Sequence, residues 1–269
     1  MNHSPAGIID IHSHIFPDAI AQKATDSVSD FYGLKAARCG TLDALLKDYD
    51  EAGISMGCIH SVAITPHSVT AINQFISASV KAHPDRLAGY AAIHPDCGDI
   101  EALTENALAL GLKGYKIHPD MQHFALDEPK AMEMFAAIEG KMPIIIHTGD
   151  RRFEYSRPRQ MKKVLDAFPN LTCVCAHLGG WSEWDDACRM LAKYENAYVD
   201  TSSSLYMLAP EKAKKIIRSY NRERVLFGID FPMWTAKTEL ERFLNLRLTE
   251  EEQDLILRKN AMSLPRFTD

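Results

Sequence analysis

The sequence predicts a (β/α)8 TIM barrel of the α/β class, and three observations carry the prediction. Short apolar runs alternate with helical patterns eight times along the chain. The 269 residues suit one such barrel, which takes about 250. Polar residues able to bind a metal or move a proton recur directly after the apolar runs, where a barrel carries its active site. An open doubly wound sheet is the competing architecture, but no Gly-rich phosphate turn follows the first strand. No linker or shift in composition divides the chain, so residues 1–269 read as a single domain.

The elements follow in order. Ile8 to Phe16 reads as the first strand and contains Asp10-Ile11-His12-Ser13-His14. Residues two apart on a strand share a face, so His12 and His14 project side by side with Asp10 one step behind. An extended first connection, Pro17 to Gly40, is partly helical (Ile20, Ala24, Val28, Phe31) and lies where a lid can sit. Thr41 caps a helix to Ala52, and Gly53 closes it. Strand Ile54–Ile64 precedes helix Ser68–His83, which Pro84 ends. Strand Leu87–Ile93 runs into His94-Pro95, and helix Asp99–Leu110 into Gly111. Strand Leu112–Ile117 meets His118-Pro119, and helix Glu128–Glu139 meets Gly140. Pro143–Ile146 leads into His147-Thr148-Gly149, followed by helix Arg159–Phe168. Leu171–Ala176 leads into His177-Leu178-Gly179-Gly180, followed by helix Ser182–Tyr194. Strand Ala197–Thr201, helix Pro210–Tyr220 and strand Val225–Ile229 bring the chain to Asp230-Phe231-Pro232. Two C-terminal helices, Thr238–Leu244 and Thr249–Met262, complete it.

Composition narrows the function classes. Hydrophobic residues make up 46% and charged residues 25%, as in a globular domain with a large core. A net charge of −6 without a basic block argues against a nucleic-acid partner. No apolar run is long enough to span a membrane. Met1 to Gly7 shows neither the basic nor the apolar region of a signal peptide. Six cysteines without a Cys-x-x-Cys pair suggest a reduced, cytoplasmic protein, with Cys173 and Cys175 packing on one strand face.

Of the eleven histidines, His12, His14, His94, His118, His147 and His177 all fall at strand ends, with Lys116 and Asp230. Gathering so many polar groups in one place is costly without a partner, and a metal ion supplies one. The set His12, His14, His147 and Asp230 suits one divalent ion, Zn²⁺ first, with Mn²⁺, Fe²⁺ or Co²⁺ also compatible. It leaves a position for water, whose pKa the ion would lower towards neutrality. Asp230 is then both ligand and base, and His177 polarises a carbonyl or shuttles a proton.

Other residues admit two readings. The run Gly149 to Arg159 holds four arginines, including Arg151 and Arg152, which either bind an anionic substrate or form a solvated loop. Trp181 and Trp184 either wall the pocket or pack the next helix. Asp200 is as consistent with a structural role as with a catalytic one. His60, His67 and His123 have no strand-end logic and are left out.

The strand-end motifs, Gly114-Tyr115-Lys116-Ile117-His118-Pro119, Phe227-Gly228-Ile229-Asp230-Phe231-Pro232 and the closing Arg258-Lys259-Asn260-Ala261 resemble the amidohydrolase superfamily. The likeness is to its amidohydrolase 2 group, which includes aminocarboxymuconate-semialdehyde decarboxylase and related decarboxylases, lactonases and hydratases. It covers nearly the whole chain. It implies a single metal, usually zinc, on His12, His14, His147 and Asp230, with His177 catalytic and a possible homodimer. Some superfamily members carry a carboxylated lysine bridging two metals at the end of strand four. Lys116 stands there, but the group resembled uses one metal, and a lysine binding a substrate carboxylate is the preferred reading, with His118 beside it. A plain salt bridge is the remaining alternative.

The leading expectation is a metal-dependent hydrolase in which activated water attacks an amide, lactone or ester carbonyl of a small, carboxylate-bearing substrate. The alternative is a non-oxidative metal-dependent decarboxylase. A non-catalytic metal-binding protein on the same barrel is a third reading, against which the intact ligand set counts.

Overall fold

Eight parallel strands form one sheet in sequence order: β1 (Ile8–His14), β2 (Ile54–His60), β3 (Leu87–Ala92), β4 (Gly114–Ile117), β5 (Ile144–Ile146), β6 (Cys173–Cys175), β7 (Ala197–Asp200) and β8 (Val225–Leu226). This is a computed structural model that describes residues 7–267, so the N-terminal residues 1–6 read above for a leader lie outside the described residues. The barrel closes through backbone hydrogen bonds between the first strand and the chain after β8. Ile11 N donates to Phe227 O at 2.9 Å, Asp230 N to His12 O at 2.7 Å and His14 N to Phe231 O at 2.7 Å.

Helices alternate with the strands. They are α1 (Asp18–Tyr32), α2 (Leu42–Ala52), α3 (Val69–Ala82), α4 (Ile100–Ala109), α5 (Pro119–Gln122), α6 (Pro129–Ile138), α7 (Pro158–Ala167), α8 (Trp184–Leu191), α9 (Pro210–Ile217) and α10 (Ala236–Leu244). Thr41, Asp99 and Thr235 cap α2, α4 and α10 by accepting a backbone N–H with their side chains. The expected single-domain TIM barrel is therefore the observed fold. No helix among the described residues is long and apolar enough to cross a membrane.

Side-chain alternation sorts the core into two regions. Ile9, Ile11, Ile145, Val174 and Leu226 pack together inside the barrel, over Ala261, Leu264 and Phe267 from the C-terminal end. Ile144, Ile146, Cys173 and Cys175 instead join the layer shared with the helices. Both cysteines are fully buried, as packing residues should be.

The structure departs from the sequence reading in three places. The eighth strand stops at Leu226 rather than Ile229, because the next amides find other partners. Phe227 N donates to Ile256 O, Gly228 N to Thr201 Oγ1 and Ile229 N to Asp10 Oδ1. The last helix is not continuous: α11 (Glu250–Asp254) passes through a π-helical turn, Leu255–Lys259, into α12 (Asn260–Met262). That turn buries Ile256 and Leu257 and offers Ile256 O to Phe227 N, so tertiary packing overrides the regular 3.6-residue period. Finally, α5 forms directly after β4, started by Pro119 and capped by the His118 side chain.

Candidate metal centre

The first strand carries a register irregularity between Asp10 and Ser13. It separates residues that plain alternation would place on one face. Asp10 turns towards α2, where Tyr49 OH donates to it at 2.6 Å and Ser13 Oγ at 2.5 Å. Asp10 is thus a buried brace behind the strand, not a companion of the two histidines. Its carboxyl is pushed up to about 6 by burial, against the pull of its four donors. Gly57 on β2 permits this arrangement, since a Cβ there would overlap the Tyr49 ring. Bulges of this kind re-aim side chains beside active sites.

Beyond the bulge, His12 and His14 face the barrel mouth. His12 Nε2 lies 3.5 Å and His14 Nε2 3.6 Å from the same oxygen, Asp230 Oδ1. Ligand atoms about 2.1 Å from a common ion in tetrahedral array stand roughly 3.4 Å apart, close to the separation of Asp230 Oδ1 from each of the two imidazole nitrogens. Asp200 Oδ2 accepts from His12 Nδ1 at 2.9 Å, which fixes the tautomer and leaves the Nε2 lone pair facing the cluster. Ser203 Oγ donates to the other Asp230 oxygen, Oδ2.

His177 follows β6 and His147 follows β5. His177 Nε2 and His147 Nδ1 approach to 3.0 Å. His177 Nδ1 lies 3.0 Å from the Ser202 carbonyl, which can only accept, so Nδ1 carries the proton and Nε2 is the reactive nitrogen. The two loops are held backbone to backbone. Trp181 N donates to Thr148 O at 2.7 Å, and a Cβ on Gly149, at φ 90°, would strike Gly180. His177 and Asp230 themselves sit at φ 61° and 63°, a costly conformation for non-glycine residues and one that clusters at functional sites.

The structure thus joins His12, His14 and Asp230 directly, while His147 meets them through His177. Among the described residues, three sets can bring ligand atoms within 4.8 Å of one another: His12–His14–His60, His12–His177–Asp200 and His118–Asp120–His147. Burial drives every one of the histidines His12, His14, His60, His118 and His147 below its ordinary pKa, His14 to about 3. Neutral imidazole is the metal-binding form. Both ring nitrogens of His60 and the Nε2 of His147 are buried without a hydrogen-bond partner. Such orphaned groups cost about 1–3 kcal/mol each, which a bound cation would offset for this donor set.

Lys116 and His118 both reach the site. Lys116 is fully buried, with Nζ 3.2 Å from His12 Nε2. Burial pushes its pKa down to about 8, while Asp230 and Asp200 hold it up. His118 stacks on His147 at 3.9 Å between ring centroids. Trp181 borders a small crevice with Tyr32, His147, His177 and Asp230, whereas Trp184 packs in the core with its indole N–H on His177 O.

The structure does not bring the loop arginines to the cavity. Arg151 is exposed. Arg152 grips the buried Asp150 carboxylate through Nε and one terminal nitrogen, and donates its other terminal nitrogen to Phe31 O at 2.8 Å. Its guanidinium also lies 4.9 Å from the Phe31 ring centroid, so it ties α1 to the β5 loop. Neither Arg151 nor Arg152 lines the cavity, and the Arg152 guanidinium takes this structural role because its nearest partners are the protein's own. His94 also stands apart, with Nδ1 accepting from Asp96 N and its ring against Phe124.

Sequence reasoning passed over three residues. Tyr32, at the end of α1, places its hydroxyl 2.6 Å from His118 Nε2 and 3.5 Å from His147 Nδ1. His60, at the end of β2, packs edge-on against His12 and His14 at 4.9 and 4.4 Å. Asp120, on α5, stands 3.7 Å from His147 Nε2 and is pushed up to about 7 by burial. The strand-end rule could have found His60. Nothing local marks Tyr32.

His12, His14, Lys116, His147, His177 and Asp230 form the floor of a cavity of about 470 Å³. Its walls come from α1, α3 and the β2–α3 connection.

Comparison with solved structures places this geometry among similar barrels. An uncharacterized TIM-barrel protein from Bordetella bronchiseptica is 22% identical, with 96% of this chain and 98% of that one covered at a TM-score of 0.78. 5-Carboxyvanillate decarboxylase from Sphingomonas paucimobilis is 17% identical over 97% and 99%, with a TM-score of 0.73. A dihydroxybenzoic acid decarboxylase from Polaromonas sp. JS666, solved with bound manganese, is 16% identical over 95% and 96%, also at 0.73. Comparison with curated protein sequences gives no match. The family model described as amidohydrolase matches residues 9–267. With that match spanning nearly the whole barrel, the chain belongs to the amidohydrolase family.

Proposed function

We propose that the protein is a metal-dependent, non-oxidative decarboxylase of a small carboxylic acid. The observation that carries this reading is the buried Lys116 amine beside the His12–His14–Asp230 cluster, on the floor of a largely apolar cavity. A carboxylate is the anion that such a floor would hold. Apolar walls strip water from it, which favours loss of carbon dioxide, where the negative charge is dispersed. Two of the solved structures similar to this chain are decarboxylases by name, one of them with manganese, which supports this reading over hydrolysis.

His12, His14, His147 and Asp230 would hold the ion, with Zn²⁺ and Mn²⁺ both suited to the set. Once bound, it supplies a fixed positive charge that orients the carboxylate and offsets charge as the bond breaks. Lys116 Nζ binds the same carboxylate. His177 Nε2, which lies 3.0 Å from His147 Nδ1, would take up a proton from solvent and pass it to the substrate carbon that bears the carboxylate. The C–CO₂ bond then breaks and its electron pair returns to the carbon framework. One proton is consumed and one CO₂ released. Tyr32 OH holds His118.

Hydrolysis of an amide, lactone or ester by the same residues is the competing outcome. A panel of aromatic and unsaturated carboxylic acids, incubated with the metal-loaded protein in ¹⁸O-water, separates the two. CO₂ release without ¹⁸O in the organic product is expected. Incorporation of ¹⁸O without CO₂ would overturn the proposal in favour of hydrolysis.

A further inference from the structure

The cavity restricts what can be attached to the reacting group. Above the floor its walls are mostly apolar: Ile20, Ala24 and Val28 from α1, Ile72 and Phe75 from α3, and Met121. Lys116 and Asp230 are the only lysine, arginine, aspartate or glutamate lining it among the described residues, and both belong to the floor. Of the wall hydroxyls, those of Ser27, Ser61, Thr65 and Ser68, Ser61 donates to Ile15 O and Ser68 to Thr65 O, and none carries a charge. The nearby arginines are committed elsewhere: Arg152 to Asp150, and Arg157 to Glu183 and Glu154.

The entrance is apolar too. Ile20 and Ile64 line the cavity and yet are 53% and 47% exposed, two of the five large hydrophobic side chains left in solvent among the described residues. A volume of about 470 Å³ lies in the ~300–1,000 Å³ range of small-molecule pockets. It is far more than a carboxylate alone requires.

We propose that the substrate is a mono-anion, a carboxylic acid whose remaining body is hydrophobic and uncharged, lying between α1 and α3 with its far end at Ile20 and Ile64. This rests on the metal-centre reading above and specifies its substrate class. A second charge on the body would be desolvated against these walls with nothing to pair it. No loop arginine lines the cavity to supply that partner, so a dicarboxylate is disfavoured.

Binding of hydroxamic acids to the Mn²⁺-loaded protein, measured by calorimetry, tests this without turnover. The hydroxamate binds the metal, and the tail reports on the walls. Affinity should rise about fourfold per added methylene from acetohydroxamate through octanohydroxamate. Suberic monohydroxamic acid, of equal length but ending in a carboxylate, should bind at least tenfold more weakly than octanohydroxamate. Ala24→Trp and Ile72→Asn, on opposite walls, should each flatten the chain-length series, so one poorly folding variant does not remove the test. A flat series in the unsubstituted protein, or preference for the carboxylate tail, would overturn the proposal. If acetohydroxamate itself failed to bind, the metal-centre reading would fall, and this inference with it.

Discussion

Asp200 Oδ2 accepts a hydrogen bond from His12 Nδ1 at 2.9 Å, across the barrel from β7 to β1. Its other oxygen accepts from the backbone N–H of His177 at 3.1 Å. One carboxylate therefore fixes the ring of a candidate ligand and the backbone of the candidate proton carrier. Asp200→Asn should lower metal affinity by about 10–100-fold with the fold retained. Competition with a chelator followed by metal analysis measures this, and an unchanged affinity would show that His12 needs no such partner.

Asp230 Oδ1 stands 3.5 Å from His12 Nε2 and 3.6 Å from His14 Nε2. Asp230→Ala should abolish turnover and reduce bound metal to well under half an equivalent, with the circular dichroism spectrum unchanged. Turnover surviving that substitution would remove Asp230 from the mechanism.

Tyr32 bonds to His118 from α1, an element with no ligand of its own. Tyr32→Phe keeps the ring and deletes the hydroxyl. A net hydrogen bond of ~1.4 kcal/mol predicts about a tenfold fall in kcat/KM. The melting temperature should stay within a few degrees. A full-rate variant would make Tyr32 a packing residue only.

Arg152 neutralises Asp150, which is fully buried. Arg152→Ala leaves that carboxylate unpaired and frees Phe31 O, so stability should drop by about 2 kcal/mol. Denaturant unfolding measures it. If Arg152 bound the substrate instead, the loss would appear in KM with stability unchanged.

Glu252 is drawn down to about 2, chiefly by Arg218, whose guanidinium contacts both its oxygens at 2.7 and 3.0 Å. It also closes a capping box with Thr249. A depressed carboxylate stabilises the fold above its unfolded pKa of about 4.5, and that stability is lost as pH falls towards 2. Glu252→Gln should therefore cost ~1 kcal/mol at pH 7, a modest value because the pair is at the surface. The gap from the unsubstituted protein should close between about pH 4.5 and 2. A gap constant over that range would assign the effect to the cap rather than the charge.

Much of the site was legible because a barrel ties function to position along the strand. His12, His14, His147, His177 and Asp230 were readable as a group since each follows an apolar run, and parallel strands deliver those ends to one face. Lys116 and His118 were legible for the same reason. The four loop arginines left two readings open because charge in a sequence does not reveal its partner: Asp150, Glu154 and Glu183 claim three of them, Arg152, Arg157 and Arg159.

The alternation of apolar runs and helical patterns determined the barrel, its strand order and the face that carries the candidate site, because periodicity and strand ends are local properties. Tertiary structure alone decided the rest. The bulge between Asp10 and Ser13 sent Asp10 to Tyr49, a contact 39 residues distant. Packing across the barrel brought Tyr32 to His118 and set Asp200 behind His12. The helical part of the first connection became one apolar wall of the cavity rather than part of the core. Each of these depends on which buried polar atom finds which distant partner, and the free energy of that choice exists only once the chain has closed on itself.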